Sequence, residues 1–135
     1  MHVLVVEDDF ISRRLLCRYL EPFAECDVAV NGEEAVEAVK ETIERGSLYD
    51  LICLDIMMPG MNGQETLLLI REYEEQNNIS LGQGSRIIMT TSLEDHKSIR
   101  EAFAATADGY VVKPVEKKKF LSTLSDIGLA FEIPL

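Results

Sequence analysis

Apolar residues gather in five short runs: "HVLVV" at 2–6, "CDVAV" at 26–30, "LICL" at 51–54, "RIIMT" at 86–90 and "YVV" at 110–112. The runs are unbroken and not alternating, the pattern of strands covered on both faces in a parallel sheet. Between them, apolar residues recur at helical spacing. Ile11, Leu15, Leu16 and Tyr19 mark an inward face over 10–20, and Ala35, Val36, Val39 and Ile43 mark one over 31–45. Leu67, Leu68, Ile70 and Tyr73 do so over 64–76, Ile99, Ala102 and Phe103 over 95–106, and Phe120, Leu121, Leu124 and Ile127 over 116–128. Asn31 followed by Glu34 reads as an N-cap with its reciprocal acid. Strand and helix alternate five times, which predicts right-handed crossovers and a doubly wound α/β sheet. The polar stretch "QNNISLGQGS" at 76–85 leads into the fourth strand and so belongs at the sheet's N-terminal edge. The domain is expected to span 1–128, and the apolar tail "LAFEIPL" at 129–135 to pack on it.

The strands end on polar side chains. Glu7-Asp8-Asp9 follow the first, Asp55 the third, Thr91-Ser92 the fourth and Lys113-Pro114 the fifth. In an open doubly wound sheet these ends converge on the crevice where ligands bind. Adjacent strands lie about 4.8 Å apart, so acids from the first and third strands can touch one small ion, and Lys113 can reach across. Two carboxylates about 4 Å apart repel by about 4 kcal/mol at an effective dielectric near 20. A divalent cation relieves this, and all-oxygen donors suit Mg²⁺ or Mn²⁺. The chain carries no G-x-x-x-x-G-K-[ST] and no G-x-G-x-x-G pattern, so the expected anion is a phosphoryl group and not a nucleotide. Asp55 is then a nucleophile that forms an acyl phosphate, with Lys113 neutralising the transferring oxygens and the Thr91 hydroxyl donating to one of them. Singly, these residues have plainer readings: Asp9 suits an N-cap, and so do Thr91 and Ser92 for the fourth helix.

Composition narrows the classes. The chain has 135 residues, 47% of them apolar and 27% charged, the proportions of one globular domain. A net charge of −11, with Lys117 to Lys119 as the sole basic run, argues against direct nucleic-acid binding. No apolar run approaches the roughly 20 residues of a membrane span, and acids appear too early for a signal peptide. A cytoplasmic protein without membrane insertion is expected. Cys17, Cys26 and Cys53 are odd in number and lack C-x-x-C spacing, which predicts core thiols with no disulfide framework.

"VLVVEDD", "DLICLDIMMPGMNG", "IIMTTS" and "GYVVKP" resemble the response-regulator receiver domain of two-component signalling over about residues 2–128. The D-x-x-M-P-x-M-x-G pattern from Asp55 to Gly63 is the most specific part. The resemblance implies a flavodoxin-like (βα)5 three-layer sandwich with parallel strand order 2-1-3-4-5. It also implies that Asp55 is the phosphoacceptor for a phosphohistidine on a histidine kinase or histidine phosphotransfer protein. By position, Asp8 and Asp9 resemble the acidic pair that holds Mg²⁺ with Asp55 and the Met57 backbone carbonyl. Thr91 resembles the switch hydroxyl, Tyr110 the aromatic that follows it, and Lys113 the phosphoryl-binding lysine, whose bond to Pro114 is often cis in relatives. Without the family, Tyr110 reads as an ordinary core aromatic.

Two positions depart from common members. Met57 and Leu93 are apolar where polar side chains often orient the hydrolytic water, which implies slow self-dephosphorylation. The resemblance further implies a stand-alone signalling switch that changes partners through the face of its fourth helix, fifth strand and fifth helix. Its output then lies with a separate downstream protein. The alternative is a true enzyme, a Mg²⁺-dependent aspartyl-phosphate phosphatase, but that class generally needs a second acid at position 57.

Overall fold

In the computed structural model, which describes residues 1–104 and 106–129, strand and helix alternate as the periodicity predicts. The strands are β1 His2–Val6, β2 Glu25–Ala29, β3 Leu51–Asp55, β4 Arg86–Thr91 and β5 Gly109–Val112. The helices are α1 Phe10–Leu20, α2 Gly32–Glu44, α3 Gly63–Gln76, α4 His96–Phe103 and α5 Lys117–Asp126. All neighbours pair in parallel, in the order β2-β1-β3-β4-β5. The expected flavodoxin-like order is therefore present.

Alternate residues of each strand feed two cores. Leu4, Val6, Ile52, Leu54, Ile87 and Met89 face one layer, with Ala35 and Val39 of α2, Leu67 and Ile70 of α3 and Ile99 of α4. Val3, Val5, Leu51, Cys53, Ile88 and Val111 face the other, with Leu16 and Leu20 of α1 and Phe120 and Leu124 of α5. β3 is buried at every position, which explains its unbroken apolar run.

Three expectations fail in detail. β2 is not covered on both faces: it is an edge strand, with Glu25 and Asp27 exposed and Val28 at 53% exposure, and charge on an edge discourages further pairing. The inward stripe of α1 runs through Leu16 and Leu20, while Ile11 at 75% and Leu15 at 36% face solvent. That helix is apolar on two sides, and the Tyr19 hydroxyl, donating to the Val115 carbonyl at 3.0 Å, accompanies the phase chosen. Leu68 of α3 and Ala102 of α4 likewise turn outward. Finally, α4 and α5 are shorter than expected. The tail beyond Leu129 lies outside the described residues. The α2 cap forms as expected on one side, with Asn31 Oδ1 accepting from Glu34 N at 2.8 Å; Glu34, however, reaches back to Val30 N at 3.0 Å.

The polar loop after α3 is tied down by a buried ion network that its composition does not reveal. Glu74, 3% exposed, accepts from Arg71 Nη1 at 2.8 Å and from the backbone N–H of Ser85 at 2.9 Å. Arg71 also donates to the Thr106 and Ser85 carbonyls and to Asp108, each within 3.0 Å. One guanidinium thus fastens α3 to the turns before β4 and β5. Gly84 is required here, because a Cβ would strike the Glu74 carboxylate. Replacing Glu74 with Ala strips the Arg71 guanidinium of one of its two carboxylates and leaves the buried Ser85 N–H without its acceptor, so chemical denaturation should show a loss of about 1–3 kcal/mol. A loss below about 1 kcal/mol, the range of a surface pair, would place this network at the surface energetically.

Candidate functional site

Register sets the site. Val6 of β1 pairs with Leu54 of β3, so Glu7 and Asp55 follow at the same level, and Asp55 stands opposite Thr90 of β4. Glu7 is 1% and Asp55 2% exposed, so two carboxylates share a buried sheet end. Asp8 lies beside them but is exposed. One carboxylate oxygen from each of Glu7, Asp8 and Asp55 lies within 4.8 Å of the other two. Lys113, beyond β5, crosses to this cluster and places Nζ 2.9 Å from Asp55 Oδ1 and 3.0 Å from Glu7 Oε2. Its backbone N–H donates to the Thr91 carbonyl at 2.8 Å, and its bond to Pro114 is cis. The N–H of Met57 donates to Asp55 Oδ1 at 3.3 Å.

The electrostatics follow from this crowding. Burial, then the charge of Asp55, pushes the Glu7 carboxyl up to about 7, against the opposing pull of Lys113. Burial also raises Asp55, opposed by Lys113 and by the Met57 N–H. For Lys113, burial favours the neutral amine, but the hydrogen bond and charge of Asp55, and then those of Glu7, outweigh it and raise the group overall. One ammonium therefore serves both buried carboxylates.

The residues expected at the site are only partly brought together. Asp8, Asp55 and Lys113 converge. Asp9 does not: its side chain accepts from Ser12 N at 2.8 Å as the N-cap of α1, and these bonds to Ser12 hold its carboxyl below its ordinary value. The expected pair Asp8-Asp9 is thus replaced in the cluster by Glu7-Asp8, because α1 begins at Phe10 and its exposed N–H groups claim the preceding carboxylate. Sheet register could have found Glu7, since it is the residue level with Asp55. Arg13 was also missed; its Nη1 donates to the Glu7 carbonyl at 2.9 Å and steadies the acidic loop.

The motif after Asp55 becomes legible as packing. Met58 is buried in the α2–α3–α4 core, Gly60 takes a left-handed φ of 77°, and a Cβ on Gly63 would collide with the Asp55 carbonyl. The motif's glycines thus let α3 begin directly against the backbone of Asp55. Met57 points away, 69% exposed, and Leu93 is 77% exposed.

Thr91, at the end of β4, is buried, and its hydroxyl donates to the Ser92 carbonyl at 3.3 Å. It is Ser92 that organises the entry to α4, donating to Asp95 Oδ2 at 3.0 Å and accepting from Asp95 N at 3.3 Å. Tyr110 of β5 packs half-buried beside the α2–α3–α4 core, its ring edge-on to His96 with centroids 6.3 Å apart.

No helix among the described residues is long and apolar enough to cross a membrane. The chain is 37% identical over 126 residues to the chemotaxis protein CheY of Halobacterium salinarum, covering 93% of this chain and 94% of that protein. It is 29% identical to the osmosensing histidine protein kinase SLN1 of Saccharomyces cerevisiae, covering 96% of this chain but 10% of the kinase. Among solved structures, it resembles a chain in the co-crystal of the Saccharomyces cerevisiae histidine phosphotransfer signalling protein Ypd1 with the receiver domain of its downstream response regulator Ssk1. The TM-score is 0.79 at 29% identity, covering 95% of this chain and 88% of that one. The profile of the response regulator receiver domain matches residues 3–125. A parallel 2-1-3-4-5 sheet with an acidic cluster and a lysine at its C-terminal end thus accompanies a family match over almost the whole chain, which belongs to the response regulator receiver domains of two-component signalling.

Proposed function

We propose that the protein is a phosphoacceptor switch in which Asp55 takes a phosphoryl group from a phosphohistidine. The observation that carries this reading is the position of Lys113 Nζ, within 3.0 Å of both Asp55 and Glu7. An Asp55 oxygen attacks phosphorus, the phosphorus–nitrogen bond breaks, and the imidazole leaves with the electron pair and takes up a proton. Lys113 pairs with the phosphoryl oxygens as charge builds on them, and the Met57 N–H orients the attacking carboxylate.

Glu7, Asp8 and Asp55 fit a hard divalent cation, since every donor is oxygen and the cluster is crowded with negative charge. Glu7 takes the place first expected of Asp9, and the Met57 carbonyl completes the proposed set. When bound, Mg²⁺, or Mn²⁺, neutralises the transferring oxygens. The Thr91 hydroxyl exchanges its Ser92 carbonyl for a phosphoryl oxygen, and Tyr110 follows by repacking beside α4. The switched surface is α4–β5–α5.

The donor is a histidine kinase or a histidine phosphotransfer protein; the Ypd1–Ssk1 likeness supports this partner class. The match along nearly the full length of a chemotaxis CheY supports an output carried by a separate protein. The phosphatase alternative lacks an acid at position 57, where the exposed side chain is Met57. The protein therefore catalyses only its own phosphorylation and dephosphorylation.

Incubation with acetyl phosphate and Mg²⁺ should add one phosphoryl group, on Asp55, and Asp55→Asn should abolish it in intact-mass spectra. The phosphoryl half-life should be minutes or longer, given Met57 and Leu93; decay within seconds would contradict that reading.

In a Mg²⁺ titration, Asp8→Asn should weaken binding at least about tenfold, as loss of even a supporting partner of a metal ligand does. Asp9→Asn, which preserves the cap, should leave binding unchanged. Equal losses from both would restore Asp9 to the ion site.

Glu7 has a folded-state value of about 7 against an ordinary 4.5, so between these values the native state holds more protons than the unfolded state. Its contribution is full below the lower value and is lost as pH rises through the upper one. Urea unfolding in chelator should accordingly show stability declining across this window, and Glu7→Gln should flatten the decline. A slope that Glu7→Gln leaves untouched would assign it to another group.

A further inference from the structure

Four buried side-chain polar atoms among the described residues have no hydrogen-bond partner: Ser85 Oγ, Thr90 Oγ1, His96 Nδ1 and the Tyr110 hydroxyl oxygen. Such a group costs stability unless another state of the protein supplies its partner. Ser85 precedes β4, at the opposite end of the sheet from Asp55, and His96 and Tyr110 meet on the α4 side. Thr90, 1% exposed, is the one placed among the acids and the lysine.

Strand alternation fixes that placement. Val5, Cys53, Ile88 and Val111 all face the α1–α5 layer. Two residues further along, on the same face, come Glu7, Asp55, Thr90 and Lys113. Thr90 stands level with Asp55 on one side and Val111 on the other, and its carbonyl, accepting from Ile56 N at 3.2 Å, holds it there. Because β4 lies between β3 and β5, the Lys113 side chain must cross Thr90 to reach Asp55 at 2.9 Å. An ammonium has three donors, and Asp55 and Glu7 take two of them. An orphaned acceptor therefore lies beneath a lysine with a donor to spare.

We propose that Thr90 is a positioning residue for Lys113, its hydroxyl accepting the third N–H of the ammonium once Asp55 carries a phosphoryl group; this rests on the phosphoacceptor reading above. Phosphorylation removes the charge of the Asp55 carboxylate and gathers charge on the phosphoryl oxygens. Nζ then shifts from Asp55 toward those oxygens while Glu7 retains it. Thr90 offers a fixed acceptor on the strand that the lysine crosses, so the shifted ammonium is held at the oxygens it must neutralise. In the unphosphorylated protein the same hydroxyl stays unpaired and costs stability.

Thermal melting and titrations with Mg²⁺ and with beryllofluoride, a phosphoryl mimic, on Thr90→Val and Thr90→Ser test this. In chelator, Thr90→Val should melt at or above the wild-type temperature, because it removes an unmet hydroxyl while keeping the branched shape. With Mg²⁺ present, it should bind beryllofluoride at least about tenfold more weakly, the change expected of one hydrogen bond to a charged group, whereas Thr90→Ser should stay within about threefold of wild type. Mg²⁺ affinity should be unchanged in both. On a Lys113→Met background, Thr90→Val should make no further difference to beryllofluoride binding. Wild-type beryllofluoride affinity in Thr90→Val would overturn the proposal. A lower melting temperature in chelator would show a hydroxyl already paired, weaker Mg²⁺ binding would assign it to the ion, and an undiminished effect without Lys113 would remove the lysine; each overturns it too. Wild-type protein that neither binds beryllofluoride nor takes a phosphoryl group from acetyl phosphate would defeat the phosphoacceptor reading itself, and this inference with it.

Discussion

The structure is organised around an electrostatic constraint: two carboxylates are buried at the end of apolar strands, and a third stands beside them, with one ammonium to balance them. Lys113 meets this demand from β5, on the far side of β4 from Asp55. The sheet order places a cation from the chain's end beside acids from its beginning and middle. On the proposed reading, the negative charge left over suits a divalent ion and the lysine suits phosphoryl oxygens, so both roles have one physical origin.

The neighbouring elements keep that cluster in place. Asp9 fixes the start of α1, so the loop between β1 and α1 is held at both ends, by register and by a cap. Arg13 reaches back from the first turns of α1 to the Glu7 carbonyl. Gly63 admits the start of α3 against the Asp55 backbone, so the loop that carries Met57 is equally short of freedom. Preorganisation of this kind is what makes fixed dipoles and charges effective toward a transferring group.

Much of this was legible in the sequence. Five unbroken apolar runs alternating with helical periods specify a doubly wound sheet, and polar residues at four strand ends specify where chemistry gathers. The individual side chains were harder. Three consecutive acids, Glu7 to Asp9, offer no one-dimensional sign of which two face the crevice; that follows from the pairing of Val6 with Leu54 and from where α1 begins. The phase of α1 was ambiguous because Phe10, Ile11, Leu15 and Leu16 give it apolar residues on two sides. The Glu74–Arg71 network was invisible for a different reason: charged residues in a polar stretch read as solvated unless their partners, here Ser85, Thr106 and Asp108, are known.

The contact between Lys113 and Glu7 spans 106 positions of sequence. During synthesis, therefore, the acidic pocket has no internal counter-charge until the last strand is made and docked. A chain that stops short of β5 lacks both an edge strand and the ammonium that Glu7 and Asp55 share. On the proposed reading, competence to accept a phosphoryl group then waits for the strand that delivers Lys113.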